Sequence, residues 1–183
     1  VARLRLARLD SEPAPAPESL GPLGFDAVFE RFSPYVAGTA IKILGRDDEV
    51  DDVIQEVFLA CSRREEPFPT AEDARRWLST VTVRIACHRL RRRRMRSFWT
   101  LSLEKAHFHV PTAHLSPEEH AQLRRLYRVL DQLPIPERTA WVLRHLQGER
   151  LDDVAEACGC SLATVKRRIA AASQAVAEVF RDD

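Results

Sequence analysis

No apolar run in the chain approaches the roughly 18 residues needed to cross a bilayer, so membrane insertion is not expected. The basic start of the chain runs into Asp10, Glu12 and several prolines, where a secretory leader would carry its apolar centre. Both absences point to the cytoplasm. Charge of one sign is also missing, with 28 Lys and Arg against 27 Asp and Glu. Net charge therefore indicates no polyanionic partner by itself. Cysteines are only four. Cys61, Cys87 and Cys158 fall on apolar helical faces, as small buried hydrophobes do. Cys158 and Cys160 lack the second pair that a structural zinc site needs. The six glycines form no phosphate-cradling loop, and no nucleophile–base pair or full ligand set is present. Neither an enzyme nor a cofactor or metal is expected.

What the chain does have is uneven charge and helical periodicity. The run from Arg84 to Arg96 is dense in arginine and holds no acid, whereas Asp47 to Glu56 is rich in Asp and Glu. Apolar residues recur at helical spacing from Phe25 to Leu44, with Pro34 as a break or kink and Gly45 as the stop. A second helix over Asp47 to Ser62 exposes Asp51, Asp52, Gln55 and Glu56. A loop from Glu65 to Asp73 leads to a long helix from Ala74 to about Met95, with Trp77, Leu78, Val81, Ile85, His88 and Leu90 facing inward. Pro117 starts a further helix at the favoured first position, and another spans Glu137 to Leu146. The spacing predicts an all-α protein of two small helical domains joined by a linker, at 25–96 and 117–183.

The first 24 residues read as a flexible arm, its prolines preventing a continuous helix after Leu9. A regulatory contact is its sharper alternative. Residues 97–116 read as a linker whose Trp99, Phe108 and Val110 are apolar enough to lie on a partner. Its His107, His109 and His114 lack the companions and spacing of a metal site.

The strongest local signal is the segment from Leu151 to Val176. One stripe holds Leu151, Val154, Ala155 and Cys158, and a second holds Leu162, Val165, Ile169, Ala172 and Val176. Gly159 lies between them, where a helix must stop and reverse, and Ser161 is placed to cap the second helix. The pattern is that of a helix-turn-helix, with Thr164, Lys166, Arg167 and Arg168 on the face that would meet a major groove. A plain helix pair with a solvated charged face is the bland alternative.

Four blocks then align in order: Val50 to Leu59, Trp77 to Arg92, Leu133-Pro134 with Arg138 and Leu143, and Gly159-Cys160-Ser161 with Thr164-Val165-Lys166 and Arg168. Together, over about Phe25 to Phe180, the chain resembles the extracytoplasmic-function (ECF) group of the bacterial sigma-70 family. The resemblance implies that Asp51, Asp52, Gln55, Glu56 and Phe58 bind core RNA polymerase. It implies minus-ten element contacts by Phe68, in the base-capturing loop, and by Arg84, His88, Arg91 and Arg92. It implies minus-thirty-five contacts by Ser161, Thr164, Lys166, Arg167 and Arg168, and an anti-sigma partner. Arg84 and His88 stand where the family often has Asn and Asp, so that helix should supply affinity more than base choice. The alternative reading is a conventional helix-turn-helix regulator acting without core polymerase.

Overall fold

A computed structural model describes residues 22–100 and 116–181, the side chains of 97–100 excepted. Among them are seven helices and one isolated bridge, between Leu23 and Phe68. The N-terminal arm to residue 21, and the aromatic and histidine residues of 101–115, lie outside the described residues.

Helix α1 spans Phe25–Leu44 and runs unbroken through Pro34. It ends at Gly45, whose φ of 73° is the left-handed conformation that a side chain disfavours. Helix α2 (Val50–Ser62) turns Val50, Val53, Val57, Phe58 and Cys61 inward. Helix α3 spans Ala71–Thr100. It starts earlier than the periodicity predicts because Thr70 caps it, its hydroxyl accepting from the Asp73 N–H at 3.1 Å. It also continues four residues into the stretch expected to be linker. Three helices thereby close around Val28, Phe32, Val36, Ile43, Val53, Leu78 and Leu90.

Helix α4 (Pro117–Gln132) opens with a reciprocal capping box between Ser116 and Glu119. Helix α5 (Ile135–His145), the short α6 (Leu151–Ala157) and α7 (Leu162–Val179) come next. Leu126, Leu130, Val142, Leu143, Val154, Val165 and Ala172 fill their centre.

These two groups of helices do not stand apart. Helix α1 packs on α5, and α3 packs on α5 and α6. The joint is built on the end of α1, where the last carbonyls have no partner within the helix. Each is met from another helix. Tyr127 of α4 donates its hydroxyl to the Lys42 carbonyl at 2.8 Å. Arg138 of α5 donates Nε and Nη2 to the Ile43 carbonyl at 3.0 and 2.7 Å. Arg93 of α3 reaches the Leu44 carbonyl at 3.3 Å. Arg138 is only 1% exposed and also pairs with Asp131. Its guanidinium thus sits at the negative end of the α1 dipole.

A second cluster lies beside it. Glu149, in the turn before α6, accepts from the Tyr35 hydroxyl at 2.8 Å and from Arg75 at 2.6 Å. Arg75 also pairs with Asp153 at 3.3 Å. The carboxylate is 8% exposed, and burial together with that carboxylate raises the Tyr35 phenol well above its ordinary pKa.

Gly45 also sits against this joint. A Cβ there would lie 2.5 Å and 2.7 Å from the Tyr127 ring. Gly45→Ala therefore adds a clash to an unfavourable φ, and should destabilise the protein by about 1 kcal/mol or more. Thermal unfolding checks the loss of stability, and small-angle scattering should show the two helix groups separating.

Candidate nucleic-acid and polymerase interface

The outer face of α2 is set by its own periodicity. Burying Val53, Val57 and Cys61 leaves Asp51, Asp52, Gln55 and Glu56 exposed. Two of the four are not independent. Arg89 of α3 reaches Asp52 at 3.2 Å and Glu49 at 3.3 Å, and pairs with Glu56. Asp51 and Gln55 make no such contact among the described residues. Phe58, expected on the same surface, is 4% exposed and belongs to the core. Its ring lies 4.7 Å from Phe29 and 6.4 Å from Phe25, so it supports the face from beneath and does not present itself to a partner.

The loop before α3 brings a second correction. Phe68 is also 4% exposed. Its backbone pairs with Leu23 at 2.8 and 3.1 Å. Its ring packs 5.7 Å from Trp77, with the Arg64 guanidinium 4.3 Å away. An enclosed ring offers no stacking surface, so Phe68 is a core residue here. Glu65, Glu66, Pro67, Pro69 and Thr70 are the exposed part of the loop.

On α3 the arginines divide into two sets. Arg84, Arg91 and Arg92 are exposed. His88 is exposed as well, contrary to its expected inward position. Arg75, Arg89 and Arg93 instead hold carboxylates or the joint, and Arg94 donates to the Asp131 carbonyl at 3.0 Å. The basic track expected along this helix is therefore shorter than its sequence.

In the C-terminal unit, α6 and α7 are joined through Gly159, whose φ is 59°. Ser161 caps α7 by accepting from the Thr164 N–H at 3.3 Å, and the two hydroxyls lie 3.0 Å apart. Lys166 and Arg167 are exposed, with Thr164 partly so. Arg168 is half-buried and donates to Cys160 Sγ at 3.2 Å. Cys158, packed behind the turn, has its thiol pushed up to about 12 by burial, so it is inert at neutral pH. No group of three or more potential metal ligands occurs among the described residues.

Arg84 and Arg91 of α3 line one cleft of about 340 Å³ together with Arg168 of α7, over a floor that includes Val83, Ile135 and Ala157. Basic residues from both helix groups thus face a common space.

Comparison with known proteins places this arrangement. The Sigma-70 region 2 family model matches residues 28–96, and the Sigma-70 region 4 model matches 123–176. The ECF RNA polymerase sigma-E factor of Haemophilus influenzae is 30% identical over 155 residues, covering 79% of this chain and 81% of that protein. The chain belongs to the ECF group of sigma-70 factors. The ECF sigma factor EcfG of Rhodopseudomonas palustris is 29% identical over 139 residues, 74% of each chain. Among solved structures, the sigma factor RpoE of Bartonella quintana, in complex with the anti-sigma factor NepR, superposes with a TM-score of 0.68. It is 21% identical, covering 87% of this chain and 98% of that one. CnrH, bound to the cytosolic domain of CnrY, superposes at 0.55 with 21% identity, covering 87% and 88%. These likenesses establish the fold. No helix among the described residues of this sigma factor is long and apolar enough to cross a membrane.

Sequence reasoning missed the residues that hold regions 2 and 4 together. Lys42 is one of them, donating to Gln147 Oε1 at 2.9 Å. Burial lowers its pKa from 10.5 to about 8. At this lysine the folded chain then binds fewer protons than the unfolded one between about pH 8 and 10.5, so the contribution of Lys42 to stability rises with pH across that window. Below the window the lysine is protonated in both states and contributes no slope. The buried thiols and phenols titrate alike in wild type and Lys42→Met, so the difference in thermal stability between the two should move in favour of the wild type as pH rises across this window.

Proposed function

We propose that residues 25–96 bind core RNA polymerase through the α2 face and contact the minus-ten element through α3, while residues 117–183 read the minus-thirty-five element with α7. The protein is a sigma factor and directs transcription initiation. What supports the residue assignment is exposure. Asp51, Asp52, Gln55 and Glu56 share one open face, Arg84, His88, Arg91 and Arg92 share another, and Lys166 and Arg167 project from the recognition helix. Ser161 contributes by holding the start of that helix, Thr164 reaches a base or phosphate, and Arg168 joins them at the groove. This work is binding and positioning without catalysis, carried out in the cytoplasm beside polymerase and promoter.

The closed joint adds a requirement. Elements centred about 25 base pairs apart are separated by ~85 Å of duplex at ~3.4 Å per pair. Residues that line one cleft cannot occupy both. Regions 2 and 4 must therefore separate on the way to promoter recognition, and core polymerase supplies the surface that replaces their mutual contacts. An anti-sigma partner, as seen on the structural relatives, would keep them from separating.

Transcription from a promoter library with purified core enzyme tests the reading. The free factor should bind duplex DNA weakly and gain promoter selectivity only with core, whereas a conventional regulator would bind a symmetric site by itself. Asp51→Lys should lower core affinity about tenfold, well beyond the ~0.3–1 kcal/mol that reversing a charge in the first turn of α2 costs the helix, since its side chain is exposed and makes no ion pair among the described residues. Lys166→Ala should cost about 1–3 kcal/mol at one promoter position if it reads a base edge. A uniform loss with a shallower salt dependence would assign it to phosphate.

A further inference from the structure

The corner where α1 meets α2 exposes more apolar surface than its surroundings require. Phe25 is 41% exposed, Phe29 45% and Leu59 50%. The first two rings stack at 6.1 Å and both lean on buried Phe58. Exposed carboxylates stand on the same two helices: Asp26 and Glu30 next to the two rings along α1, and Asp51, Asp52 and Glu56 ahead of Leu59 along α2, where the single Arg89 pairs with Asp52 and Glu56 and leaves the face net acidic. A clustered apolar surface with an acidic border suits a partner that is apolar and basic at once.

The chain carries such a segment. Residues 3–9 read Arg-Leu-Arg-Leu-Ala-Arg-Leu, with three arginines, three leucines and no acid. We propose that this segment docks on the patch, with Leu4, Leu6 and Leu9 covering Phe25, Phe29 and Leu59 while Arg3, Arg5 and Arg8 meet the carboxylates of α2. The reach is sufficient. Leu23 is pinned to Phe68 two residues before Phe25, so the arm leaves the fold beside the patch. The stretch between Leu9 and Pro22 extends to ~45 Å at ~3.3–3.6 Å per residue, about twice the ~20 Å length of the whole of α2. A tether of this length holds the segment at millimolar effective concentration, so even weak intrinsic affinity keeps it docked.

The consequence rests on reading α2 as the core-binding face. A docked arm covers Asp51, Asp52 and Glu56, so it competes with polymerase and lowers apparent core affinity by the fraction docked. It thus brakes the factor from within, separately from the joint between regions 2 and 4.

The experiment uses the full chain with a photoreactive benzoylphenylalanine in place of Leu59, irradiated without polymerase and mapped by mass spectrometry. Intramolecular crosslinks to residues 3–9 are expected. They should be lost in the triple variant Arg3→Glu, Arg5→Glu, Arg8→Glu, and weakened by raised salt. The same triple variant carrying native Leu59 should bind core about 3- to 10-fold more tightly, with unchanged helicity. Crosslinks that map elsewhere, or that join two copies, overturn the docking. Crosslinks to residues 3–9 with unchanged core affinity leave the docking standing and overturn the assignment of the α2 face.

Discussion

The last turn of α1 is the point on which the structure depends. A helix that stops inside a protein leaves carbonyls pointing at nothing, and burying them unmet costs ~1–3 kcal/mol each. Here Gly45 bends the chain away without adding bulk, and Tyr127, Arg138 and Arg93 come from three different helices to meet the Lys42, Ile43 and Leu44 carbonyls. Two of those donors belong to region 4. The end of a region 2 helix is therefore completed by the other half of the chain.

That arrangement explains the division of labour along α3. A helix so rich in arginine would be expected to present one continuous basic surface. Instead Arg75 holds Glu149, Arg89 holds the acids of α2, and Arg93 and Arg94 reach the ends of α1 and α4. Arg84, Arg91 and Arg92 remain for an outside anion. The same residue type organises the acidic face of α2, closes the joint and faces the cleft, and only the surroundings of each guanidinium separate the roles.

Much of this is legible in the sequence. The helices, the turn at Gly159, the cap at Ser161 and the exposed residues of α2 come from periods and from the chemistry of helix ends, which act over a few residues. The all-α fold and the family are legible as well. Helix α3 begins three residues ahead of its apolar period because the Thr70 cap lies inside a proline-containing loop. Phe58 and Phe68 hold places in motifs that suggest contact with a partner, yet Phe58 is enclosed by the α1 rings and Phe68 by Trp77 and the distant Leu23 backbone. Arg138 is visible as a motif residue, but a period cannot show that a guanidinium is 1% exposed. Contacts between α1 and α5 join residues some 95 apart, and no local pattern encodes them.

The composition of the joint bears on the separation of regions 2 and 4 that we propose. Much of what separation uncovers is already polar: three carbonyls, the Glu149 carboxylate, the Tyr35 and Tyr127 hydroxyls and the guanidinium groups of Arg75 and Arg138. Water can replace each lost partner at little net cost. A purely greasy seam would leave the parted halves prone to clump before polymerase reached them. A seam rich in hydrogen bonds would keep the parted molecule that we propose dispersed, free to close again.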